Sequence, residues 1–176
     1  GTAATLTIED NSTGKTGKII SNHYGLTASG GGNLVVNSGT IETGDGAALS
    51  GNNQTGDMNL TVNGGTLTTN LGPAIYMPSE VNLTITDGTI SGCTAVDDGG
   101  GLYADNSTIN ISGGTISGCK GVWGGGLYAK KSSTITISGG AISGCEVGAG
   151  GGLFVDSSTV RISGGIISGC ITSDTG

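Results

Sequence analysis

Three stretches of this chain copy one another: residues 99–123, 124–149 and 150–176 each open on Gly-Gly-Gly-Leu-aromatic and go on to Ser-Gly-Gly-x-Ile-Ser-Gly-Cys. Cys93, Cys119, Cys145 and Cys170 mark the period at 26, 26 and 25 residues. Apolar residues carry it upstream of the first cysteine. One series runs Leu34, Leu60, Leu83, Ile109, Ile135 and Val160, and a second follows it two residues later as Val36, Val62, Ile85, Ile111, Ile137 and Ile162. A third runs Ile41, Leu67, Ile90, Ile116, Ile142 and Ile167. A fixed period of this length belongs to stacked units, each of which buries its apolar edge only against its neighbours.

Inside each unit apolar and polar residues alternate, the period-two pattern of a strand with one buried face. Short strands are expected around residues 102–104, 108–112 and 115–117, three per unit. Equivalent strands stacked roughly 4.8 Å apart would pair in parallel and share a continuous core. The predicted fold is therefore all-β, a right-handed single-stranded parallel β-helix of about seven coils. Residues 1–176 read as a single domain, with regular repeats over 34–170 and irregular N-terminal coil(s) over 1–33. In the latter, Leu6 and Ile8 begin a unit that is interrupted by a polar insertion before Ile19. The chain opens on a lone Gly1 and stops in mid-pattern, so a segment of a longer protein is expected.

Composition supports this reading. Glycine, Thr, Ser and Asn make up 93 of the 176 residues, 38 of them Gly, while strong helix formers are scarce. Helical bundles are thereby excluded, and collagen with them, because glycine is not at every third position and only Pro73 and Pro78 occur. In a coiled β-fold, glycine serves the corners, where positive φ or close backbone approach is needed. The net charge of −7 argues against a nucleic-acid groove, which needs a basic surface. No apolar run approaches the ~20 residues of a membrane helix, so membrane insertion of this segment is not expected.

The run Gly99-Gly100-Gly101-Leu102-Tyr103, followed by Ile111-Ser112-Gly113-Gly114-Thr115-Ile116-Ser117-Gly118-Cys119, resembles the right-handed β-helix repeats of large bacterial cell-surface proteins and adhesins. That fold is shared with pectate-lyase-like carbohydrate-active enzymes. The resemblance implies an extracellular or cell-surface rod that contacts a glycan or a host surface protein, and it leaves side-by-side or end-to-end self-association open. The alternative is a carbohydrate-active enzyme, a polysaccharide lyase or glycoside hydrolase, on the same fold. Its residues would be Asp97, Asp98 and neighbours such as Asp105. The adjacent pair Asp97-Asp98 is similar to the aspartates of polygalacturonases, but their Asn-Thr-Asp, His-Gly and Arg-Ile-Lys elements have no usable counterpart here. A solvated turn is the plainer reading of the pair. His23 and Arg161 are single residues of their type, with no triad beside them. The expectation is a non-enzymatic protein with no cofactor and no metal site.

Reading down the period gives a surface map. Tyr76, Tyr103, Tyr128 and Phe154 hold one position in four successive units. Lying between the core-like positions of Leu102 and Ala104, Tyr103 should point outward, which predicts an exposed aromatic stripe. Such a stripe either offers a platform to sugar rings or simply stabilises the sheet. Trp123 is either a second anchor or a local packing residue. Asp105, Lys130 or Lys131, and Asp156 form a ladder of alternating charge, read as structural support. Thr and Ser recur outward at Thr40, Thr66, Thr68, Thr89, Ser91, Thr115 and Ser117, but Glu42, Ala141 and Ile166 break the array that an ice-binding face would need. The cysteines stack with parallel side chains, at a spacing wider than the ~3.8 Å between Cβ atoms of a disulfide. Buried reduced thiols are expected, with Cys93–Cys119 and Cys145–Cys170 pairing as the alternative.

Overall fold

A computed structural model describes residues 4–52 and 58–172. It is a parallel β-solenoid without helix among those residues. Leu6, Leu34, Leu60, Leu83, Ile109, Ile135 and Val160 lie in register on seven successive strands, six full turns from first to last. A second face stacks Ile19, Ile41, Leu67, Ile90, Ile116, Ile142 and Ile167. A third stacks Leu26, Leu49, Ile75, Leu102, Leu127 and Leu153. These side chains meet along the axis, and in the middle turns they are completely buried. Each buried Leu or Ile contributes about 2 kcal/mol relative to an exposed one. At the two ends these rows open to solvent, with Leu6 51% and Ile167 41% exposed.

The N-terminal segment is more regular than its sequence implies. Thr5–Ile8, Lys18–Ser21 and Leu26–Ser29 already occupy the three faces of one turn. The irregularity is confined to a loop clasped by Asp10, whose carboxylate accepts hydrogen bonds from the Ser12 amide at 2.9 Å and the Gly17 amide at 2.6 Å. The Ser12 side chain first, and then these two amides, hold the Asp10 carboxyl below its ordinary range.

Sequence reasoning missed one element. Lys120–Trp123, Glu146–Ala149 and Ile171–Thr172 form a fourth short face outside the expected three. Its sequence signal was available: Lys120 and Glu146 stand one period apart and form an ion pair at 2.7 Å.

The face exists because the corner that contains it lengthens along the chain. From the second-face residue to the third-face residue the chain takes seven residues in the first turn (Ile19 to Leu26) and eight in the next two (Ile41 to Leu49, Leu67 to Ile75). It then takes twelve from Ile90 to Leu102, and eleven from Ile116 to Leu127 and from Ile142 to Leu153. The wall of the solenoid steps outward at Cys93.

Between the first and second faces two adjacent glycines do different work. A Cβ on Gly113 would stand 2.0 Å from the Thr86 carbonyl oxygen of the turn before, while Gly114 has φ of +76°. The same division recurs at Gly139, 2.2 Å from the Ser112 oxygen, and Gly140 at +78°. At the opposite corner serine provides the link. Ser107 Oγ donates to the Asp105 carbonyl and accepts from the Val81 amide, and Ser133 Oγ donates to the Lys130 carbonyl and accepts from the Ser107 amide. Each hydroxyl thus ties its own turn to the one before, with no polar atom left over.

Gly113→Ala should cost about 3 kcal/mol or more in urea unfolding, because the clash is with backbone that cannot move aside. Gly118→Ala, at φ +59° with open space around its Cβ, should cost only about 1–2 kcal/mol. Equal losses would show that close approach is not what Gly113 supplies.

Candidate functional site

The aromatic ladder forms in the expected register: Tyr76 pairs with Tyr103, Tyr103 with Tyr128 and Tyr128 with Phe154. Ring centroids are 5.0, 5.6 and 5.7 Å apart. Leu102 and Ala104 are wholly buried on either side of Tyr103, whose ring therefore points away from the axis.

The ladder is not the open stripe expected from the sequence. Tyr128 is only 8% exposed, and Tyr76, Tyr103 and Phe154 are half-buried. This chain's own side chains cover the C-terminal part. Lys130 Nζ lies 5.0 Å from the Tyr103 ring centre and 5.8 Å from that of Tyr128, and Trp123 meets Phe154 edge-on at 4.6 Å. Such contacts are favourable for rings and cations alike, so they hold these faces against solvent.

What remains accessible is a groove at the step in the wall, in two hollows. One, of about 210 Å³, is lined by residues that include Tyr24, Asp45, Leu71, Pro73, Tyr76 and Asp97. The other, of about 480 Å³, is lined by Pro73, Tyr76, Asp97, Asp98, Tyr103, Val122 and Trp123. Pro73, Tyr76 and Asp97 belong to both, so the hollows are continuous. The short turn at Leu71-Gly72-Pro73 forms the low side. The longer corner carrying Asp97 and Asp98, with the fourth face behind it, forms the high side. Trp123 both packs on Phe154 and, 43% exposed, walls the groove.

The residues singled out for two different functions thus arrive at one place. Tyr76, Tyr103 and Trp123, selected as ligand platforms, face Asp97 and Asp98, selected as candidate acids. Asp98 has its carboxyl raised above the ordinary range, first by burial, with Lys130 opposing and Asp97 adding to the effect. Burial likewise raises the Tyr76 phenol.

Asp105 does not join them. It is 7% exposed, with Lys131 Nζ at 2.8 Å and Lys130 Nζ at 3.8 Å, and so it anchors the two lysines. His23 is exposed against Asp45 at the groove's N-terminal margin. Arg161 stacks in register with Thr136, away from the groove.

The four cysteines are free, the first three buried and Cys170 half-buried. Each Sγ lies 3.5 Å from the carbonyl of the serine two residues before it: Ser91, Ser117, Ser143 and Ser168. At Cys119 the contact with Cys145 favours the thiolate, but the contact with Cys93 and burial prevail, and the thiol is pushed up to about 12. Burial raises Cys170 as well. Cys93 goes the other way, since its contact with Cys119 lowers the thiol below its ordinary range, although its side chain is wholly buried. Among the described residues no group of three or more His, Cys, Asp or Glu side chains is placed to hold a metal ion.

Stacked parallel turns, a core of aligned aliphatic rows and a groove on one flank define a parallel β-helix. A family model described as the right-handed β-helix region matches residues 53–176, well over half of the sequence, and the chain belongs to that family. Comparison with curated proteins and with solved structures gave no match.

Asp98 offers a direct check on the groove's environment. A carboxyl whose folded pKa is raised costs stability above that pKa, where it must ionise while partly buried, and costs nothing below the unfolded value. Asp98→Asn should therefore raise the melting temperature at pH 7 and leave it unchanged near pH 3. A variant that melts lower than the parent at pH 7 would mean that the carboxylate is held by favourable partners.

Proposed function

We propose that this chain is a rod-like segment of an extracellular bacterial surface protein that binds a glycan in the groove between Pro73 and Trp123, without converting it. The observation that carries the reading is the joint presence, in one continuous hollow, of the aromatic side chains of Tyr76, Tyr103 and Trp123 beside the carboxylates of Asp97 and Asp98. Rings stack on the apolar faces of sugars, and carboxylates accept from their hydroxyls. Rigidity favours such a site, since the rings are fixed by the strand register before any ligand arrives and little ordering cost remains at binding.

A second reading has one observation in its favour. Asp98, raised by burial and adjacent to Asp97, has the character of a general acid, the group that glycoside hydrolysis requires beside an ionised carboxylate. On this reading the groove is the catalytic cleft of a carbohydrate-active enzyme.

A glycan array followed by calorimetric titration tests the first reading. Hits should weaken about two- to tenfold with Tyr76→Ala and with Tyr103→Ala, while the circular-dichroism spectrum stays that of the parent. Binding indifferent to both changes would leave the ladder a purely structural role. Incubation with polysaccharides, read by reducing ends and by unsaturated products, should show no turnover. Turnover abolished by Asp97→Asn or Asp98→Asn would establish the enzyme instead.

A further inference from the structure

We infer that the groove selects glycans free of anionic groups, those built from neutral, acetamido or amino sugars, and excludes polyuronates and sulfated chains. This rests on the glycan-binding reading and names the ligand class that reading leaves open.

The argument starts from the composition of the walls. Asp45, Asp97 and Asp98 line the two hollows, and among the described residues no lysine, arginine or histidine side chain lines either. Recognition of a carboxylated or sulfated sugar requires cations or arginine forks aimed at the anion. The cations nearest this groove are already committed. Lys130 and Lys131 share the buried carboxylate of Asp105, at 3.8 and 2.8 Å. Lys130 is further held over the Tyr103 and Tyr128 rings. His23 is turned onto Asp45. Freeing Lys130 for a ligand anion would strip the ladder of its cover and leave Asp105 with one partner fewer, so the lysine is a poor reserve.

A uronate lying on Tyr76 and Tyr103 would meet the Asp97 and Asp98 side of the groove at close range. Two like charges a few ångströms apart repel by about 1 kcal/mol in bulk water, and by several where the site is partly desolvated. The selection is thus mainly by repulsion, which sets apart ligands of one shape by the charge they carry. An acetamido or hydroxyl group in the same place donates to the carboxylates, and a protonated amine gains a charge-assisted bond. The rings add a second preference for the amine, since cations are attracted to aromatic faces.

The test uses the whole chain and four hexasaccharides: cello-, N-acetyl-chito-, de-N-acetylated chito- and galacturono-oligosaccharides, titrated at low and high salt. The galacturonate should bind about tenfold or more weakly than the best of the other three. The gap should shrink at high salt, where the repulsion is screened, and shrink again in Asp97→Asn/Asp98→Asn. Galacturonate binding as tightly as the others, or a gap untouched by the double substitution, would overturn the inference while leaving glycan binding in place. Binding of none of the four, together with an empty glycan array, would remove the glycan-binding reading and this inference with it. Array hits confined to uronate or sulfated glycans would overturn the inference alone.

Discussion

The whole molecule depends on the parallel backbone hydrogen bonds between turns, which set each residue over its counterpart one period away. Once those bonds form, a side chain has no choice of neighbour, so every position must tolerate a copy or near-copy of itself about 5 Å away. Aliphatic residues meet that demand in the core. Asparagine meets it outside, because its amide both donates and accepts: Asn59 donates to Asn33 at 2.9 Å and Asn82 to Asn59 at 3.3 Å. Serine hydroxyls and cysteine thiols have the same double character. A carboxylate or an ammonium does not, so the charges that meet across turns do so with alternating sign, as in Lys18 with Glu42, Lys120 with Glu146 and Asp105 with Lys130. The abundance of Thr, Ser and Asn and the low charge content, 11% of residues, follow from this requirement of self-complementarity.

The same rule separates what was legible in the sequence from what was not. The core rows, the aromatic register, the free thiols and the glycine corners are properties of the period, and residues such as Leu83, Tyr103 and Cys119 announce them by spacing alone. The exposure of Tyr128 is not such a property. It depends on where the Lys130 side chain lies and on how the stretch from Lys120 to Trp123 folds outside the ladder, and neither is written in a 26-residue repeat. The groove escaped for a subtler reason. The interval from Leu34 to Leu60 equals that from Leu83 to Ile109, 26 residues in each case, yet the extra residues sit at different corners before and after Cys93. Two equal intervals concealed a change in cross-section.

That change of cross-section is what brings chemistry to a chain otherwise poor in it. The two sets of candidate residues, rings and acids, were chosen on unrelated grounds. They converge because the longer corner folds its Asp97-Asp98 pair back over the flank where the ladder begins. Asp105, also an aspartate and nearer to Tyr103 in sequence, is instead paired within the wall with two lysines. Position relative to the step, rather than residue type, decides which carboxylates face a ligand.

The step also breaks the translational symmetry of the rod on the flank that carries the groove. Turns of equal cross-section on either side of it are interchangeable, so lengthening either stretch by whole repeats changes reach and leaves the number of grooves as it was. Only a duplication that spans the step copies the site. Length and valency are therefore inherited separately in this architecture: one by repeating turns, the other by repeating the place where they differ.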